Sequence, residues 1–157
     1  MNAAKARIRA ATAADLEVLA EFARAMARET EGVALDAATL RAGVAALLGD
    51  PARGRSFVLE VDGEAVASLM LTSEWSEWRN GFFWWIQSVY VRPSQRGRGH
   101  YRRLHEHVRA LAAREPDVCG LRLYVERENT GAQASYRALG MHETHYLLFE
   151  ESTRSQP

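Results

Sequence analysis

Apolar side chains recur along this chain with two spacings, three-to-four and two, and the switches between them lay out its elements. Leu16, Leu19, Ala23, Met26 and Ala27 share one face of a helix over 13–29, with Thr12 as N-cap and a short strand at 6–10 before it. Asp36 caps a second helix expected to bury Leu40, Val44, Leu47 and Leu48, and Gly49 with Pro51 stops it. Phe57, Leu59 and Val61 alternate, and Asp62-Gly63 then turns the chain back into 66–72 as a hairpin. Asn80-Gly81 opens the most apolar strand, 82–91, which belongs at the centre of a sheet because both its faces can be covered. Tyr101, Leu104, Val108 and Leu111 mark a third helix over 99–114. Leu121, Leu123 and Val125 mark a strand over 120–126, and a fourth helix at 130–139, ended by Gly140, precedes a last strand at 141–150. The order β-α-α-β-β-β-α-β-α-β predicts a mixed α/β fold in which the helical crossover makes 82–91 and 120–126 parallel neighbours.

Composition narrows the picture. With 157 residues, 47% hydrophobic and 25% charged, the chain suits one globular domain over 1–157, its core at about 6–150 and a flexible tail at 152–157. Twenty acidic and 20 basic residues cancel, so no nucleic-acid partner is expected. Cys119 is the only cysteine, which excludes an internal disulfide and a cysteine metal cluster; it is expected in the core of a protein from a reducing cytoplasm. No stretch approaches ~18 apolar residues and no secretory-type apolar run opens the chain, so no membrane partner is expected. His105, His107, His142 and His145 lack cysteine partners and His-Glu-x-x-His spacing, so no metal is expected either.

Against this neutral background residues 89–103 stand out, carrying Arg92, Arg96, Arg98, Arg102 and Arg103 and no acid. Gly97 and Gly99 allow a sharp bend on which several N–H groups converge, and the first turn of the following helix adds unpaired donors and the positive end of its dipole. A phosphate or pyrophosphate fits such a turn; the plainer alternative is a glycine-rich connection with a solvated arginine face. There is no Gly-x-x-x-x-Gly-Lys-Ser/Thr loop, and Arg102 stands where a dinucleotide fingerprint needs a third small residue.

Arg96-Gly97-Arg98-Gly99-His100-Tyr101, preceded by the strand Ser88-Val89-Tyr90-Val91-Arg92-Pro93 and followed by Asn129, Ala132, Tyr136, Leu139, Gly140 and Met141, resembles the GCN5-related N-acetyltransferase superfamily. The resemblance covers about 6–150 and implies an acyl-CoA N-acyltransferase fold with a splayed central pair of parallel strands. It implies acetyl-CoA as donor, with backbone groups around Val89, Tyr90 and Val91 pairing with the pantetheine arm and an N–H near Val89 facing the oxyanion. It also implies pyrophosphate binding by N–H groups from Gly97 through His100 and Tyr101 to Arg102, with Arg98 or a neighbour such as Arg96 reaching a phosphate oxygen. Asn129 would hold the cofactor or cap the fourth helix, and Tyr136 would lie by the sulfur as general acid. Tyr101 departs from the family pattern, which has Gly or Ala there; it would narrow the cradle or stack on the cofactor.

An alkylamine with pKa ~10.4 is only about one part in 10³ neutral at pH 7, so a base matters. On the strand expected at 120–126, Arg122, Tyr124 and Glu126 share a face; Glu126 could act directly or through water, with Glu74 and Glu77, on the loop expected ahead of the central strand, as competitors. Gln87 could orient a water. Trp75, Trp78, Trp85, Gln87 and Tyr124 are expected to wall the acceptor pocket, while alternation sends Trp84 and Trp85 to opposite faces. The tryptophans also suit a homodimer surface. The expected function is transfer of an acetyl group from acetyl-CoA to a primary amine of a small molecule or peptide, by direct attack in a ternary complex. The alternatives are a non-catalytic acyl-CoA-binding regulatory module and, against the zero net charge, an RNA-binding domain.

Overall fold

The computed structural model describes residues 5–155. Contacts divide them into two units, one running to Leu123 and one starting at Tyr124. The first holds a five-stranded sheet whose spatial order follows the sequence: β1 (Ala6–Ala10), β2 (Arg55–Val61), β3 (Glu64–Ser76), β4 (Gly81–Val91) and β5 (Val118–Arg122). The first three pairings are antiparallel and β4 with β5 is parallel, as the crossover predicts. At the β2–β3 turn Asp62 and Gly63 both take positive φ, 51° and 86°, the geometry a two-residue hairpin requires.

Three helices cover this sheet. From α3 (His100–Ala112), Leu104 and Val108 enter a core with Phe57, Leu69, Trp84 and Ile86. Alternation turns Ser56, Ser68 and Met70 to the other face, where α1 (Leu16–Glu31) and α2 (Ala37–Gly49) lie and where Phe22 meets the Tyr90 ring at 4.9 Å. Charge anchors the start of α1: Arg9 holds buried Asp15 through two bonds of 2.7 and 2.8 Å, and Asp15 accepts the Thr12 N–H at 2.7 Å. These bonds keep the Asp15 carboxyl below its ordinary range. Asp36 caps α2 as expected, accepting from the Thr39 N–H at 2.8 Å. The second unit contains α4 (Thr130–Ala138), N-capped by Asn129.

Four expectations change. β5 ends at Arg122, so Tyr124 and Glu126 lie outside the strand foreseen at 120–126 and no strand alternation aligns them with Arg122. Residues 141–150 form no strand, and Tyr146, Leu147, Leu148 and Phe149 are exposed; an apolar run becomes a strand only where a neighbouring edge completes its hydrogen bonds. The apolar stripe of α2 is half-buried rather than buried, because it borders a cavity. Cys119 is exposed: β5 is an edge strand whose Val118 and Leu121 pack on the core while Cys119 does not. Residues 152–155 of the expected tail lie outside helix and strand, and 156–157 lie outside the described residues. No helix among the described residues is long and apolar enough to cross a membrane.

Candidate active site

The site is built on an irregularity in β4. Ser68 pairs with Tyr90 and Met70 with Gln87, so Ser88 and Val89 together oppose Leu69 alone, a β-bulge. Ser88 sits at φ 49°, left-handed backbone that a serine adopts only at a cost. The bulge turns Tyr90 toward α1 and leaves Val89 and Val91 packed against the α3 core. On its other edge β4 pairs with β5 only from Phe82 to Trp85. From Ile86 to Val91 it has no β5 neighbour among the described residues, so its outer edge can pair with an extended ligand.

That edge leads through a short 3-10 turn, Pro93–Gln95, to Gly97 (φ 74°) and Gly99 (φ 78°), and α3 starts at His100. Any side chain would be strained at either glycine, and a Cβ there would meet nothing within 4 Å, so the turn opens onto free space. His100 is buried, with Nε2 3.2 Å from Gln95 Oε1 and no partner for Nδ1 among the described residues. Burial first, then the charges of Arg103 and Arg98, holds its imidazole below the ordinary value and therefore neutral at pH 7.

The five arginines do not all face the turn. Arg92 pairs with Glu21 at 2.7 Å and Arg96 with Glu29 at 2.6 Å, tying both to α1; Arg96 also donates to the Val91 carbonyl at 2.9 Å. Arg102 stands 4.0 Å from Glu106, one turn along α3. Arg98 and Arg103 form no ion pair among the described residues and are the cations left for an anion. Tyr101 bonds through its hydroxyl with His105 Nδ1 at 3.1 Å, so this unusual residue is held along its own helix.

Asn129 directs Oδ1 to the Ala132 N–H at 3.2 Å, the cap foreseen as one of its two roles. Tyr136, on α4, is half-buried, and burial raises its hydroxyl above the ordinary value, which keeps it protonated. The Glu126 carboxylate accepts the Glu128 N–H at 2.6 Å. Glu74, on β3, is engaged by Arg122 at 2.8 Å and by Trp85 Nε1 at 3.3 Å. Arg122 lies 3.5 Å above the Phe83 ring, and Gly120 makes room for that ring, since a Cβ there would come within 2.9 Å of it.

The residues foreseen as a pocket wall have the following surroundings within the first unit. Trp78 is 84% exposed, Trp75 packs edge-on against Phe82, and Gln87 donates to Thr72 at 2.8 Å. Trp84 is buried in the core while Trp85 is half-buried on the opposite face, as alternation predicts. A cavity of about 280 Å³ lies between α1, α2 and the sheet. Its walls include Phe22, Leu40, Val44, Leu47 and Met70, with Ser56, Ser68 and Ser88 as polar points. Sequence reasoning missed it; Gly43 inside a helix and serines inside apolar strands were the available signals.

Among the described residues no group of three or more His, Cys, Asp or Glu could hold a metal ion. A search of curated proteins finds no match. The chain is 41% identical to a possible acetyltransferase from Clostridium difficile 630, whose crystal structure superposes with a TM-score of 0.90 over 96% of this chain and 99% of that one. It shares its fold with the aminoglycoside N-acetyltransferase AAC(6')-Iy in complex with CoA, at 19% identity, TM-score 0.77 and 98% of each chain. It likewise shares it with a predicted acetyltransferase with acetyl-CoA from Clostridium acetobutylicum, at 16% identity, TM-score 0.77, 94% of this chain and 96% of that one. The model of the acetyltransferase (GNAT) family matches residues 16–141, across both units; with the bulged, splayed β4 and the glycine turn into α3, this chain belongs to that family.

Proposed function

We propose that this protein is an N-acetyltransferase, acting as one domain, that carries an acetyl group from acetyl-CoA to a primary amine of a small molecule or peptide in a ternary complex. The observation that carries the reading is the outer edge of β4, without a β5 neighbour beyond Trp85 among the described residues, kinked at Ser88–Val89 and continuous with an open, positive-φ glycine turn. These residues fit an extended, anionic donor: strand-edge groups for an amide-bearing arm, N–H groups from Gly97 to Arg102 and two arginines without acidic partners for its phosphates. When bound, acetyl-CoA supplies an activated acyl thioester.

The chain's own groups then divide the work. The Val89 N–H donates to the acyl oxygen as negative charge develops there. A water-relayed carboxylate, Glu126 ahead of Glu74, takes the amine proton; Glu74 would first have to leave Arg122. Nitrogen would then bond to the acyl carbon and the carbon–sulfur bond break; the Tyr136 hydroxyl would give its proton to the departing thiolate and regain one, through water, from the nitrogen that has become the amide. The raised Tyr136 hydroxyl suits a donor that must stay protonated near pH 7.

Release of CoA from acetyl-CoA across a panel of amines tests this, with calorimetry of acetyl-CoA binding alongside. Tyr136→Phe should lose roughly 10²-fold or more in turnover with acetyl-CoA affinity kept. Tight acetyl-CoA binding with no amine accepted would mark a non-catalytic acyl-CoA-binding module and overturn the reading.

A further inference from the structure

We infer that the cavity between α1, α2 and the sheet seats the apolar chain of the acceptor, so that the amine is an alkyl- or arylalkylamine and not a polycation. This assigns the acceptor class within the acetyltransferase reading and rests on it. No ionisable side chain lines the cavity. An ammonium group drawn into it would find three serines and no carboxylate, and a buried charge without a partner is strongly disfavoured. An uncharged chain loses nothing there and removes apolar wall from water.

Position and size agree. Ser88 borders the cavity and is bonded to Val89, whose N–H is the proposed oxyanion donor, so their Cα atoms are about 3.8 Å apart. A chain lying in the cavity and extending past Ser88 would bring its amine to the bulge, where the acyl carbon would sit. The volume, about 280 Å³, is roughly twice the ~150 Å³ that holds a benzene ring. The helix that walls it stands off the sheet: α2 has no buried residue, although its stripe is apolar. At Gly43, in the middle of that wall, a Cβ would meet nothing within 4 Å, so side chains can be added there without a clash.

The test combines an acceptor series with cavity-filling variants from opposite walls, Gly43→Leu and Ala23→Leu. With acetyl-CoA, affinity should rise roughly three- to fourfold per methylene from propylamine to hexylamine, and 2-phenylethylamine should be accepted. Spermidine and an aminoglycoside should be at least tenfold poorer in kcat/KM. Each variant should raise the hexylamine KM at least tenfold while keeping the thermal transition and acetyl-CoA affinity. Polycations turned over as efficiently as hexylamine, or variants within twofold of the parent KM, would overturn the inference. So would loss of hexanoyl-CoA use with the hexylamine KM unchanged, which would give the cavity to the acyl chain. Calorimetry of 2-phenylethylamine separates the two readings. Binding that Gly43→Leu abolishes, with no amine acetylated, upholds the cavity and removes the activity; acetylation indifferent to Gly43→Leu does the reverse.

Discussion

The two faces of the sheet are built on different terms. Under α3, Leu104 and Val108 are fully buried with Leu59, Leu69 and Ile86, and that face is a closed core. Under α1 and α2 the same strands present Ser56, Ser68 and Met70, the helix stripe is half-exposed, and a cavity remains. Ion pairs hold that layer where apolar packing thins: Arg9 with Asp15, Arg92 with Glu21 and Arg96 with Glu29 each tie α1 to the strands or to the turn after β4. One sheet can thus close a core on one face and leave a cavity on the other.

The largest test of this contrast is a pair of truncations. Leu104→Ala should cost about 3–4 kcal/mol, lowering the melting temperature by roughly 10 °C, because a fully enclosed side chain leaves a cavity the core cannot close. Val44→Ala, on the cavity wall, should cost less than about 1 kcal/mol, since its side chain already borders open space. Equal losses in thermal unfolding would abolish the distinction.

A smaller effect is expected at the bulge. Ser88→Val should destabilise by about 1–2 kcal/mol, because a β-branched side chain resists positive φ, and should weaken acetyl-CoA binding by shifting the bulge; Ser88→Gly should keep both. Calorimetry of acetyl-CoA binding to both variants decides whether the bulge matters.

The gentlest effect is spread over α3, where His100, His105 and His107 are all held below the ordinary imidazole value, chiefly by burial. Below about pH 6.5 the unfolded chain takes up protons that these folded histidines refuse. Stability is therefore full above that pH and declines as pH falls toward 5. Urea midpoints measured from pH 7.5 to 5.5 should fall steadily; a flat profile would show that burial does not hold these rings neutral.

Much of this was legible beforehand where signals are local. Asp36 as a cap, Asp62-Gly63 as a hairpin turn and the two glycines ahead of α3 each depend on a few neighbouring backbone angles, and each stands where it was read. The arginine run was legible as charge around a turn, but not arginine by arginine. Whether Arg96 faces a phosphate or Glu29 depends on a helix 67 residues away in sequence. The directions of the tryptophan rings were equally illegible, since aromatic density says nothing about which way a ring faces. At 141–150 the pattern of a strand was present without a paired edge to complete it.

The sequence by itself determined the order of the elements as far as α4, the parallel crossover and the family, because periodicity, capping and turn chemistry act over a few residues and the two motifs are read directly from residue type. Only the tertiary structure decided which arginines remain without acidic partners among the described residues, where β5 ends, and that a cavity without charge adjoins the bulge. Those features depend on distances between segments far apart in the chain, and no local pattern records how two surfaces will meet.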